Sequence, residues 1–256
     1  QLWRYLTQIA TGDLGLSFRS REPVLDELLA RVPATLLLVG TSLVLSVVVG
    51  VWVGATIGRR PGSALDSWVS AIAVSLFSMP VFWLGLMLVL VFAVELRWLP
   101  AMGMASVDGP REGFGRALDV ATHMVLPVAA LMTVSVGQYV RLARSAVAEV
   151  MAEGYVATAR AIGYSERQVL MRHALPNALL PVVTVLGLQL GLVLTGAVLT
   201  ETVFSWPGLG RLIYEAILAR DTPVIMGAFI LMSATVALAS LMTDLLYAAI
   251  DPRVAL

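Results

Sequence analysis

Long runs without charge punctuate this chain. Residues 32–58, 67–94, 124–140, 174–200 and 222–243 contain no Asp, Glu, Arg, Lys or His. A helix needs about 20 apolar residues to cross a bilayer, within a range of about 17–25. Each run is long enough, so the pattern predicts five membrane-spanning helices, roughly at 34–57, 68–94, 124–142, 179–200 and 224–250. Nothing before Arg31 is long enough to span. Buried helices of a water-soluble domain would give apolar runs nearer 10–14 residues. Pro80 sits inside the second run and predicts a kink there, because proline removes one backbone donor and clashes with the preceding turn.

Polar stretches join these runs. Residues 1–31 are mixed in charge, with turn signals at Gly12-Asp13 and Gly15. The stretches at 59–66, 141–176 and the C-terminal tail carry eight Arg against five acids, and the others nine Arg against eleven acids. Arg excess marks the cytoplasmic side, so the first set is expected inside. Gly50, Gly54 and Gly58 lie four apart, as do Gly187 and Gly191. Such faces let membrane helices approach closely, either within this subunit or against a second one.

Composition agrees with the pattern. Hydrophobic residues make up 59% and charged residues 13%, against about 25% charged in a typical soluble domain. The net charge is zero, so no basic field points to nucleic acid. No Cys is present, which excludes a disulfide framework and a thiolate metal site. All seventeen basic residues are Arg. A nucleotide-binding P-loop needs a Lys to reach the phosphates, so any ATP would be hydrolysed by another subunit. Neither His-Glu-x-x-His nor Gly-x-Ser-x-Gly occurs, and no catalytic or metal-binding set is expected. His123 and His173 fall at span boundaries, where a structural role is expected. The chain opens on Gln1 rather than Met, and its start reads as a truncation.

An ion- or proton-coupled carrier or channel is the alternative for a protein with several spans. Such proteins place ionisable residues inside the membrane, and the interiors of these runs hold none. Gln138 and Gln189 are the deepest large polar side chains. They either hydrogen-bond between helices or line a substrate path. Trp side chains near span ends serve as interfacial anchors.

The segment 143–176 is polar yet helical in period. Met151, Tyr155, Ala159 and Ile162 share one stripe, with Glu149, Glu153 and Arg160 off it. Gly163 breaks that helix. Ser165-Glu166-Arg167-Gln168 has the form of a capping box, and a short helix follows it before Leu175-Pro176.

This segment resembles the conserved loop of ABC importer permeases, whose pattern is Glu-Ala-Ala, three residues, Gly, nine residues, Ile, one residue, Leu-Pro. Ala157, Thr158 and Ala159 take the first three positions, Gly163 the glycine, His173 the Ile position, and Leu175-Pro176 the end. Glu and Ile are not kept. The run Thr158-Ala159-Arg160-Ala161 before Gly163 resembles the dipeptide, oligopeptide and nickel branch. Leu199-Thr-Glu-Thr-Val-Phe-Ser-Trp-Pro-Gly-Leu-Gly210 looks like the external loop of that branch. Asp244-Leu-Leu-Tyr247 with Asp251-Pro-Arg253 looks like its C-terminal end, and Gly12-Asp13-Leu14-Gly15 like the motif after its first span.

The resemblance implies an all-α polytopic membrane protein of the first-permease type, with six spans of which this chain carries the last five. Residues 1–33 would be an external segment, 34–256 the transmembrane domain, and 201–223 an external loop. It further implies that Ala157, Thr158, Ala159, Arg160, Gly163, Ser165, Glu166, Arg167, Gln168, Leu175 and Pro176 form a cytoplasmic coupling site. Glu201, Trp206, Pro207 and Gly208 would meet an extracytoplasmic solute-binding protein. The other implied partners are a second permease, two ATPase subunits that bind ATP and Mg, and the lipid of a bacterial cytoplasmic membrane. The implied cargo is a di- or oligopeptide.

Overall fold

A computed structural model describes residues 12–110, 112–193 and 197–250, with side chains at all of these except 190–192 and 243–250. The described residues are almost entirely helical, with one isolated β-bridge between Leu16 and Pro23. In chain order the helices are α1 Val24–Gly58, α2 Ala64–Phe77, α3 Val81–Glu95, α4 Gly113–Met151, α5 Gly154–Ala161, α6 Glu166–Ala178, α7 Leu180–Leu192, α8 Val198–Val203, α9 Leu209–Ala219 and α10 Thr222–Ile250. α1, α4 and the stretch Thr222–Met242 of α10 are each long and apolar enough to cross a membrane. α2 with α3, and α6 with α7, bring the total to five if each bent pair is one span.

Several expected boundaries move. α1 begins eight residues before the charge-free run, because Val24 and Leu28 have apolar partners to bury against. The second span does not merely kink at Pro80: its helix ends at Phe77 and restarts at Val81, with Ser78 as C-cap. The second half of α3, Val89–Glu95, and the stretch Val169–Ala174 of α6 are wound as π-helix. The expected span at 179–200 is represented by α7 and the separate short helix α8. The expected external loop at 201–223 is largely helical. In α9, Leu209, Leu212, Ile213 and Ala216 are buried at i, i+3, i+4 and i+7. The C-terminal motif around Asp244 and Tyr247 lies where side chains are not described, and Asp251-Pro-Arg253 lies outside the described residues.

The chain forms two compact units. One comprises Gln1–Gly40, Phe82–Val128 and Leu190–Leu256. Its core joins α1, α9 and α10 through Val24, Leu28, Leu212, Ile213, Val224 and Ala228. Gly227 permits the approach of α10, since a Cβ there would meet Val24 Cγ1 at 2.6 Å.

The other unit comprises Thr41–Val81 and Ala129–Gln189. Here the glycine stripe of α1 packs on α4 of the same chain. A Cβ at Gly54 would lie 2.8 Å from Ala143 Cβ, and one at Gly58 would lie 2.7 Å from the Arg144 carbonyl oxygen. Gly50 abuts Tyr139 in the same way. The alternative left open by the spacing is thus decided for this stripe: it serves packing within the subunit. A salt bridge fastens α2 to α4. Asp66 is buried and receives both Nε and Nη2 of Arg144, the latter at 2.6 Å. Its carboxylate also accepts the Gly62 amide at 2.8 Å. That saturation offsets the desolvation of a buried charge, which otherwise costs several kcal/mol.

Candidate functional site

α5 and α6 form a helical hairpin. α5 ends in a Schellman turn: the Gly163 amide donates to Arg160 O at 3.0 Å and the Tyr164 amide to Ala159 O at 3.3 Å. Gly163 carries φ 102°, a conformation that residues with a Cβ rarely adopt. The capping box at Ser165 is formed in full. Gln168 N donates to Ser165 Oγ, and the Ser165 amide donates back to Gln168 Oε1 at 2.9 Å. Arg160 Nε donates to Glu166 Oε1 at 2.9 Å across the turn.

Inside the hairpin, Val156, Ala159 and Val169 are buried together against Met151. Asn177 Nδ2 donates to the Tyr155 hydroxyl at 2.9 Å, and the rings of Tyr164 and His173 lie 5.1 Å apart. Leu170, Ala174 and Ala178 of α6 then pack on Ala55 of α1 and on Ala146 and Val147 of α4. The hairpin is therefore continuous in packing with two long helices, and displacement of its tip is resisted by their buried side chains.

Of the expected coupling residues, Ala157, Thr158, Arg160, Gly163, Ser165, Glu166, Arg167, Gln168 and Pro176 are exposed, Leu175 is half-buried, and Ala159 is buried. Two large apolar side chains at the tip, Ile162 and Tyr164, are open as well, at 72% and 38% exposure. Ile162 lies on the apolar stripe of α5; the helix ends there, and its side chain is left outside.

A second constellation lies in the other unit. Glu201 is buried without a cation beside it among the described residues. Thr35 Oγ1 donates to its Oε1 at 2.9 Å, and the amides of Gly210 and Arg211 also donate to the carboxylate, the latter at 3.0 Å. These amides belong to the first turn of α9, where unpaired N–H groups and the helix dipole favour negative charge. Burial still pushes the Glu201 carboxyl above its ordinary value, and those hydrogen bonds offset only part of that rise. Gly208 leaves the space, because a Cβ there would collide with the carboxylate. Trp206, also buried, donates from Nε1 to Ala34 O at 2.8 Å, while the Leu209 amide donates to Thr35 Oγ1 at 2.8 Å.

Glu201, Trp206 and Gly208, expected to meet a binding protein, are thus enclosed by α1 and α9, and Pro207 is half-buried. They hold the loop in shape. Nothing in the apolar run of α1 marked Thr35 as their partner.

The same unit secures the N-terminal segment. Ser17 Oγ donates to Asp221 Oδ2 at 2.5 Å, and the Phe18 and Arg19 amides donate to the same carboxylate at 3.1 Å each. Burial pushes the Asp221 carboxyl up, but hydrogen bonds from Ser17, Phe18, Arg19 and Val224 outweigh it and hold the group below its ordinary value. Asp221 was readable as a helix cap, standing just before Thr222-Pro223 and an apolar run; its long-range role was not. Arg19 reaches Glu215 of α9 at 3.6 Å. Leu16 and Phe18 remain exposed. Gln138 and Gln189 are both half-buried in the other unit. Among the described residues no cluster of three or more His, Cys, Asp or Glu is placed to hold a metal ion.

Comparison with known proteins gives this geometry its setting. Residues 46–256 match the family described as binding-protein-dependent transport system inner membrane component. The dipeptide transport system permease protein DppB of Escherichia coli (strain K12) is 40% identical, the match covering 99% of this chain and 80% of that protein. The di/tripeptide permease DppB of Pseudomonas aeruginosa (strain UCBPP-PA14) is also 40% identical, over 98% and 79%. The glutathione permease GsiC of Escherichia coli (strain K12) is 40% identical over 99% and 78%. Among solved structures, an inward-facing form of the MetNI methionine ABC transporter shares the fold, with a TM-score of 0.69 at 21% identity over 88% of this chain and 96% of that one. With a family model matched over most of its length, permease relatives matched over nearly the whole of this chain and the fold of an ABC importer subunit, this chain belongs to the binding-protein-dependent inner-membrane transport components and is an ABC importer permease of the peptide family.

Proposed function

We propose that this permease forms, with a second permease subunit, the path for di- or oligopeptides, opened alternately to either side by ATPase subunits that grip the α5–α6 hairpin. The observation that supports this reading most is the hairpin itself: an exposed tip, closed by a Schellman turn and a capping box, on a base packed into α1 and α4. A rigid knob of this kind transmits displacement as one body. The dipeptide and di/tripeptide relatives support the cargo. ATP and Mg would be held by the ATPases, and an extracytoplasmic binding protein would deliver cargo to the outer face. There the exposed Leu16 and Phe18, steadied by Asp221, offer a contact surface that Glu201 and Trp206 do not. Gln138 and Gln189 are the candidates for lining the path.

The test is reconstitution of the chain with its partner subunits in proteoliposomes. ATP-dependent uptake of a labelled dipeptide is expected. Uptake of glutathione with none of dipeptide would reassign the cargo, and uptake by the chain without ATPases would overturn the mechanism. The chain has no cysteine, so Ile162→Cys supplies a single crosslinking point, expected to capture an ATPase subunit.

A further inference from the structure

A groove of about 690 Å³ runs between α1 and α6. One wall is Val48, Trp52 and Ala55 of α1, the other Leu170, Met171 and Leu175 of α6. Val48 and Trp52 are 59% and 72% exposed. They belong to the face of α1 that points away from the glycine stripe, so packing within the subunit leaves them open. The two walls are antiparallel: Arg59 just past the end of α1 lies within electrostatic reach of Glu166 at the start of α6, while Val47 and Val51 pack with Leu179 just beyond the end of α6, which puts Arg59 and Arg167 at one mouth.

The dimensions and the charge suit one class of ligand. From Val47 to Arg59 an α-helix rises about 18 Å. One leaflet of a bilayer offers about 15 Å of hydrocarbon, half of the usual core. The groove is therefore about one acyl chain deep, the length that places a headgroup at its mouth. Arg59 and Arg167 line that mouth, and Arg59 and Arg60 lie within electrostatic reach of Glu166. Glu166 is already bonded to Arg160, and among the described residues Arg59, Arg60 and Arg167 make no ion pair within 4.0 Å. The nearby Asp66 is saturated by Arg144. The mouth is thus positive and the groove apolar.

We propose that this groove binds an anionic phospholipid of the leaflet on the hairpin's side, with an acyl chain between Trp52 and Met171 and its phosphate on Arg59 and Arg167. A lipid held there touches α6 directly, so it would bear on the helix that carries the hairpin. The site is independent of the cargo.

Bromine-labelled lipids quench tryptophan at contact distance. The assembled importer is reconstituted in phosphatidylcholine nanodiscs with a minor fraction of brominated phosphatidylglycerol or brominated phosphatidylcholine. Subtracting a Trp52→Phe variant isolates the signal of Trp52. The expected result is stronger quenching by the anionic lipid, falling about fivefold in relative affinity in Arg59→Gln, the effect of one basic group near an anionic headgroup. Arg59→Lys should retain the preference, which separates charge from damage to the fold. Equal quenching by both lipids would mean ordinary contact with the bilayer and would overturn the site. Quenching by neither would mean that another subunit covers the groove, and would overturn it as well.

Discussion

The hairpin turn at Gly163–Gln168 and the buried turn at Glu201–Leu209 solve the same problem in opposite ways. Both must satisfy the free amides at the start of a helix. At the hairpin, residues within a few positions do so: Ser165 and Gln168 cap each other in water, and Glu166 pairs with Arg160. At the buried turn the acceptor is Glu201, ten residues ahead of the Arg211 amide, and it is steadied by Thr35, which is 166 residues distant. An exposed turn can lose a bond and replace it with water. A buried one cannot, and the lost partner costs the full desolvation of the group left behind. The exposed turn is accordingly free to present a surface, while the buried one is committed to holding its neighbours.

Substitutions should expose that difference in order of size. Glu201→Ala strands the Thr35 hydroxyl and two amides of α9 and opens a cavity; a loss of about 3 kcal/mol or more is expected, read as a large drop in apparent melting temperature in detergent and poor recovery of the complex. Gly163→Val should cost less, about 1–2 kcal/mol for a residue with a Cβ held at positive φ, since nothing lies within 4 Å of the added Cβ. Its expected signature is functional: insertion persists, ATP hydrolysis continues and uptake fails. Normal uptake in that variant would remove the turn from the coupling mechanism.

Glu201→Gln tests the charge rather than the shape. Because burial raises the Glu201 carboxyl in the folded chain, the folded state holds its proton more tightly than the unfolded one. Wild-type stability should therefore fall as pH rises from about 4.3, the ordinary Glu value, through the raised folded value. Gln does not titrate, so melting curves of this variant should lack that part of the fall. Ser165→Ala is expected to have the smallest effect, about 1 kcal/mol for a lost cap, with uptake reduced but not abolished.

Local chemistry explains which parts were legible. The capping box, the glycine turn and the helix pair around them are written in adjacent residues, and their geometry followed the reading closely. Pro80 marked a kink in the second span but not the full stop between Phe77 and Val81, since apolar composition does not record where a helix ends. Trp206-Pro207-Gly208 signals a turn and favours a loop, whereas the structure follows the amphipathic stripe of Leu209, Leu212, Ile213 and Ala216 into α9. The burial of Glu201 and Trp206 was not legible for a physical reason: a Glu and a Trp in a polar stretch look like surface until a partner such as Thr35 encloses them.

By itself, the sequence determined that the chain is membrane-embedded and helical, that it has no Lys to complete a P-loop, and that a capped hairpin stands between two apolar stretches, because these depend on composition, run length and neighbours in the chain. Only the tertiary structure decided that the glycines of α1 serve α4 of the same subunit, that Asp66 belongs to Arg144, and that Glu201 looks inward to α1 and α9. Each of those is a pairing between residues far apart in sequence, fixed by which faces meet when the helices pack, and no local pattern carries that information.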